Sequence, residues 1–235
     1  MISGDIMILS VNNITKSFGE KQILKGISFS AESGKAVGIL GRNGAGKTTL
    51  IRIIMDVFGA DSGEVLLDEK PINKQKIRIG YLPEERGLYP KHKIMEQLVY
   101  FASLQGIDKK TATSNADALF KRLEIEEYKN RRLDTLSKGN QQKVQLIATL
   151  ITNPDLIVLD EPFSGLDPVN ASLLKDLVKD LINDGKLVLF SSHQMNYIEE
   201  FCNEILILNG GKSYLAVQLK TLNAVMQEML LKSQQ

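Results

Sequence analysis

Gly41-Arg42-Asn43-Gly44-Ala45-Gly46-Lys47-Thr48 decides the fold. A glycine, four residues and then Gly-Lys-Thr is the spacing by which a loop wraps a chain of phosphates. Glycines let backbone amides turn inward with no Cβ in the way, and a helix that follows adds its positive end. The flanks fit this reading. Ala36-Val37-Gly38-Ile39-Leu40 is a short apolar strand running into the loop, and Leu50, Ile51, Ile54 and Met55 recur at helical spacing after Lys47. In such a strand, loop and helix, Lys47 reaches the β and γ phosphates and the Thr48 hydroxyl ligates magnesium. A glycine-rich turn ahead of a helix would explain the glycines but not the placement of Lys47 and Thr48. The expected ligands are ATP and Mg2+, and the expected binding residues run from Gly41 through Arg42, Asn43, Gly44, Ala45, Gly46, Lys47 and Thr48 to Thr49.

Outward from the loop, two kinds of pattern meet. On its N-terminal side Ile27, Phe29 and Ala31 alternate with polar neighbours after an aliphatic stretch from Ile6 to Ile14, which predicts antiparallel strands. On its C-terminal side, between about Lys91 and Asn130, helical spacing dominates. Ile94, Leu98 and Phe101 share one face there, and Ala116, Leu119, Phe120 and Leu123 another. After Asn153-Pro154 come the runs Leu156–Leu159, Leu187–Phe190 and Ile205–Leu208, with the helical Leu173–Leu181 among them. Continuous aliphatic runs flanked by helices predict parallel strands covered on both faces. The expected fold class is α/β: a P-loop ATPase core with a parallel sheet, an N-terminal antiparallel β part and a helical lobe. With no repeat or linker, residues 1–235 are expected to form one domain, the lobe inserted at approximately 88–150.

Two carboxylates end the run Leu156-Ile157-Val158-Leu159-Asp160-Glu161, where ligands sit in open α/β sheets. Asp160 is expected in the magnesium shell, and Glu161 is expected to polarise the attacking water as general base. Two adjacent acids can also be a solvated loop start; their pairing with the glycine loop favours catalysis. His193 follows the strand Leu187–Phe190 and Ser191-Ser192, where an imidazole can sense a γ-phosphate. Taken alone, His193 reads better as a structural histidine, and His92 has only that reading. Ser137 and Gly139, in Leu136-Ser137-Lys138-Gly139-Asn140-Gln141-Gln142, stand at a helix entrance, a place that binds anions or serves only its own helix as a cap.

Composition narrows the partners. The 29 basic side chains nearly balance the 28 acidic ones, so the clustered basic surplus of a nucleic-acid binder is missing. The one cysteine, Cys202, has no internal disulfide partner and reads as a small buried apolar residue. Met1 to Ser10 carries Asp5 and no basic region ahead of a long apolar stretch, which argues against a secretory signal. The longest apolar runs are strand-sized, well short of the roughly 20 residues a membrane helix needs. Any work at a membrane therefore requires a partner.

The order of glycine loop, Leu-Ser-x-Gly entrance, Asp160-Glu161, Ser164-Gly165-Leu166-Asp167 and Ser191-Ser192-His193 resembles the nucleotide-binding domain of ABC transporters across nearly the whole chain. The resemblance implies a head-to-tail dimer, of identical or different ATPase subunits, with two sandwiched ATPs. Ser137 and Gly139 of one protomer would close over ATP on the glycine loop of the other. It also implies that Phe18 stacks on adenine, which offers a π-face, and that Ser164 to Asp167 carries communication between protomers. Asp167 before Pro168 can equally cap the next helix.

Gly80-Tyr81-Leu82-Pro83-Glu84-Glu85-Arg86-Gly87 with Leu88-Tyr89-Pro90 resembles ATPase subunits of bacterial sodium-extrusion and antibiotic-export systems, whose membrane half is a separate polypeptide. That resemblance implies solute export, a transmembrane permease subunit and a peripheral place on the cytoplasmic side of the membrane. Leu88, Tyr89 and Tyr100 are candidate contacts for it, with ordinary packing an equal reading. The sequence departs from the family at Lys138 and Asn140, where Gly and Gln are common, and at Glu84, where glutamine is usual. A carboxylate at 84 can hold magnesium or water, and when ionised and unpaired it repels phosphate oxygens. A regulator acting on ribosomes or nucleic acid is disfavoured by the single ATPase half, the lack of sustained heptads and the near-zero net charge. Lys138, Asn140 and Glu84 also motivate a nucleotide switch that binds and barely hydrolyses.

Overall fold

The computed structural model describes residues 6–72, 77–85 and 87–216, so the outermost parts of the 1–235 domain expectation, residues 1–5 and 217–235, lie outside the described residues. The chain opens on β1 (Ile8–Phe18) and β2 (Lys21–Glu32), antiparallel and closed tightly enough that Phe18 pairs with Lys21. Alternation sends Leu9, Val11, Ile27, Phe29 and Ala31 inward, and a register shift at Gly26 brings Leu24 inward as well. Next come β3 (Ala36–Leu40), α1 (Lys47–Ile54), β4 (Ser62–Leu67), the short β5 (Lys70–Pro71) and β6 (Ile79–Leu82). The lobe consists of α2 (Ile94–Leu104), α3 (Lys109–Arg122), two single 3-10 turns and α4 (Lys138–Leu150). The chain then alternates through β7 (Leu156–Asp160), α5 (Pro168–Asn183), β8 (Leu187–Ser192), α6 (Met195–Phe201), β9 (Glu204–Asn209) and β10 (Lys212–Ala216).

Two sheets result. One has the order β2-β1-β4-β5 and is antiparallel throughout; the other has the order β10-β9-β3-β8-β7-β6, parallel except for β10. The expected mixture of a parallel core, an antiparallel part and a helical lobe is therefore what the chain forms. The parallel sheet separates two apolar cores. Ile157, Leu159, Val188 and Phe190 join the side holding the lobe, α5 and α6, whereas Leu156, Val158, Leu187 and Leu189 join the side holding α1 and the antiparallel sheet. This two-faced burial explains why β7 and β8 read as unbroken aliphatic runs. Each such side chain contributes about 1.5–3 kcal/mol when fully buried.

Local chemistry sets several boundaries. α5 begins where Asp167 accepts hydrogen bonds from the Val169 and Asn170 amides, with Pro168 in the first turn, so the capping role offered for Asp167 is realised. Within the lobe Ile94, Leu98 and Ala102 are the buried face of α2, and Phe101 stands beside it rather than in it. α4 packs on β6 as well as on α2 and α3, so it belongs as much to the core as to the lobe. Cys202 is held against Gly38, and burial pushes its thiol far above the ordinary range, which fits its reading as an inert apolar residue.

Candidate functional site

Parallel pairing brings three strand ends together. Leu40 of β3 pairs with Ser192 of β8, and Ser191 pairs with Asp160 of β7, so the glycine loop, the two acids and His193 leave the sheet side by side. Gly46 enters α1 at φ 101°, a left-handed conformation that L side chains rarely adopt; a Cβ there would meet Leu24 Cδ2 at 2.8 Å. The loop, α1 and the turn after β6 enclose a cavity of about 460 Å³ lined by Phe18, Lys21, Ile23, Arg42, Asn43, Gly44, Gly46, Lys47, Thr48, Thr49, Glu84 and Glu161.

Charge is concentrated at one end of this cavity. Lys47, buried at the start of α1, donates to Gly41 O at 2.8 Å and stands 3.2 Å from Glu161 Oε1. The latter is an ion pair whose angle makes no hydrogen bond, so Glu161 Oε1 is buried with no hydrogen-bond partner. His193 Nδ1 lies 2.9 Å from Glu161 Oε2 and donates to it in the tautomer that an ionised carboxylate selects. Glu161 itself has a left-handed backbone, φ 51°, an uncommon conformation for a residue other than glycine.

Ser191 is the residue the sequence reading did not single out. Its Oγ donates to Asp160 Oδ1 at 2.5 Å and accepts from the Glu161 amide at 3.1 Å, so one buried hydroxyl orients both acids. The other oxygen of Asp160, Oδ2, is buried and has no hydrogen-bond partner. A buried carboxylate oxygen with no hydrogen-bond partner fits a divalent cation. Among the described residues no cluster of three or more His, Cys, Asp or Glu makes a closed metal cage. Magnesium does not require one, since it keeps waters and binds through one or two carboxylates plus substrate phosphates. The charge of Asp160 reaches Tyr81, whose phenol is pushed above its ordinary value by burial first and by Asp160 second.

Phe18 is half exposed at the end of β1 and is braced from behind. Phe58 meets it edge-on with ring centroids 5.8 Å apart, and Lys16 Nζ stands 5.7 Å from the Phe18 centroid. Lys16 is tied to Gly59 O and Asp61, and the Ser17 amide donates to Asp61 Oδ2 at 2.6 Å. Ser137 and Gly139 are elsewhere. Ser137 caps α4 by accepting from the Asn140 amide at 3.3 Å, is exposed, and with Gly139 lines no part of the 460 Å³ cavity. Within one chain the structure thus gathers Phe18, the glycine loop, Glu84 and Glu161 around one cavity, sets Asp160 and His193 against Glu161, and leaves Ser137 and Gly139 apart.

Comparison with known proteins agrees with this geometry. Residues 24–164 match the family model described as ABC transporter. The uncharacterized ABC transporter ATP-binding protein YhaQ of Bacillus subtilis is 44% identical over 91% of this chain and 72% of that protein. The Nod factor export ATP-binding protein I of Ralstonia nicotianae is 31% identical over 89% of this chain and 66% of that protein. A solved ATP-binding subunit of an ABC transporter superposes with a TM-score of 0.85 at 22% identity, covering 97% of this chain and all of that one, which supports the fold.

Proposed function

This chain belongs to the ABC transporter family as an ATP-binding subunit that hydrolyses ATP, and from that premise we propose that it works as a head-to-tail dimer, with an identical or a related subunit, closing over two ATPs. One observation carries the reading: Ser137, exposed, and Gly139, half-buried, stand at the start of α4, outside the cavity that Lys47 and Thr48 line. A second copy is what brings them to a γ-phosphate. The family's ATPase activity and the contact between Glu161 and His193 support this reading over the nucleotide-switch alternative.

In this reading Phe18 stacks on the adenine, Gly41 to Gly46 and Thr49 offer backbone amides, and Lys47 takes the β and γ phosphates. Glu161 accepts the proton of the attacking water, held for that task by His193 at Oε2. Thr48, Asp160 and Glu84 would hold Mg2+, which when bound neutralises charge on the phosphate oxygens. The whole of 1–235 acts as one ATPase domain with the lobe inserted in it.

Closure is passed to a separate transmembrane permease. Among the described residues no helix is long and apolar enough to cross a membrane; the peripheral position on the cytoplasmic face follows from the family resemblance. A groove of about 350 Å³ between the turn after β6 and helices α2 and α4 contains Leu88 and Phe101, and it is where a helix of the permease would dock. Tyr89 and Tyr100, more than half exposed, flank Phe101 at 5.9 and 5.7 Å. Outward transport is supported by the export named for the Ralstonia relative. The near-even charge favours such a partner over nucleic acid.

Glu161→Gln tests the mechanism. The variant is expected to lose turnover by at least about a hundredfold and to elute as an ATP-bound dimer in size-exclusion chromatography. A monomer at saturating MgATP would sink the proposal.

A further inference from the structure

α4 turns a polar stripe toward the turns that carry the site's acids. Gln142, Gln145 and Thr149 stand at i, i+3 and i+7, one face of a helix. Each reaches a main-chain carbonyl of the core. Gln142 Nε2 donates to Pro162 O at 2.5 Å, Gln145 Nε2 to Glu85 O at 3.2 Å, and Thr149 Oγ1 lies 3.3 Å from Tyr81 O.

Gln145 is the informative member. It is 6% exposed, and burying a primary amide is unfavourable unless it is hydrogen-bonded, whereas a leucine or methionine would fill the same place with no such requirement. Its position is also unusual. Gln145 lines both the 350 Å³ groove and a second cavity of about 410 Å³ that contains Glu84, Asp160 and Glu161. The carbonyl it holds belongs to the residue after Glu84, whose side chain lines the nucleotide cavity with Lys47 and Thr48.

We propose that Gln145 is a positioning residue for ATP hydrolysis: its amide fixes the main chain at Glu85 and thereby aims the Glu84 carboxylate at the phosphate end of the nucleotide cavity. The inference rests on reading that cavity as the ATP site. Reacting groups displaced by about 1 Å lose up to about a hundredfold in rate, so a single hydrogen bond that sets a turn can control turnover without touching substrate. Binding of ATP, which draws on the glycine loop and Phe18, is left alone.

The test is a double-mutant cycle. Gln145→Met preserves volume and removes the donor; Gln145→Leu is the second isostere should the first fail to fold. Single-turnover hydrolysis of radiolabelled ATP is measured in the full chain, in the wild-type and Glu84→Ala backgrounds, beside affinity for a fluorescent ATP analogue. In the wild-type background the rate is expected to fall about 10- to 100-fold, with affinity unchanged within about twofold. In the Glu84→Ala background the same substitution is expected to change nothing further, because Gln145 acts through Glu84. An equal fold-loss in both backgrounds, or an unchanged rate in the wild-type background, would overturn the proposal. Lys47→Ala that keeps full affinity for the analogue would overturn the reading of the cavity instead, a separate outcome.

Discussion

Asp61 is exposed and touches no nucleotide residue but Phe18's neighbours, yet it sets where that ring points. Its two oxygens take Lys16 Nζ at 3.0 Å and the Ser17 amide at 2.6 Å. The hydrogen bond from Lys16, then that from the Ser17 amide, hold its carboxyl below the usual carboxylate range. A carboxylate depressed in the folded state stabilises fully above its unfolded value, about 3.9, and loses that contribution as pH falls through the folded one. Asp61→Asn should therefore raise the dissociation constant for ATP about three- to tenfold at neutral pH. Its melting-temperature deficit against wild type should be full above about pH 5 and close toward pH 3, as differential scanning calorimetry would read. Sequence alone carried little of this. Lys47, Asp160 and Glu161 were legible because their spacing from glycines and from a strand is itself chemical. Ser191 and Asp61 were not, since they act on residues 31 and 44 positions away, and only strand pairing and turn geometry make those neighbours.

Among the elements, β6 and α4 meet closely. A Cβ on Gly80 would meet Thr149 O at 2.6 Å and Pro154 Cγ at 2.9 Å, so strand and helix touch almost backbone to backbone. Gly80→Ala should cost about 1–3 kcal/mol through overpacking, visible as a lowered urea midpoint with an unchanged slope. Helical spacing made α4 legible through Val144, Ile147 and Ile151, and its start was marked by Ser137. Its second face was not legible. Gln142, Gln145 and Thr149 are polar, so a count of apolar positions assigns them to solvent, while in the fold the two glutamines meet carbonyls of turns and Thr149 one of strand β6.

Across the whole molecule, one parallel sheet divides two cores and delivers its functional ends to one edge. The unbroken aliphatic runs announced a sheet buried on both faces, and the alternation before Ala36 announced the antiparallel part. Strand order was beyond reach, because periodicity says which faces are buried and nothing about which strand lies beside which; β3, early in the chain, ends up between β8 and β9. The same topology leaves Ser137 outside the cavity its own chain lines. Damage to the two places should therefore be divisible between partners. In the proposed closed two-fold pair each site would take its glycine loop from one copy and Ser137 from the other. Lys47→Ala and Ser137→Ala copies, each inert alone, should regain activity when mixed, because every mixed pair keeps one site with both halves sound. With random pairing that is roughly a quarter of all sites, read as recovered phosphate release on titrating one inactive protein into the other.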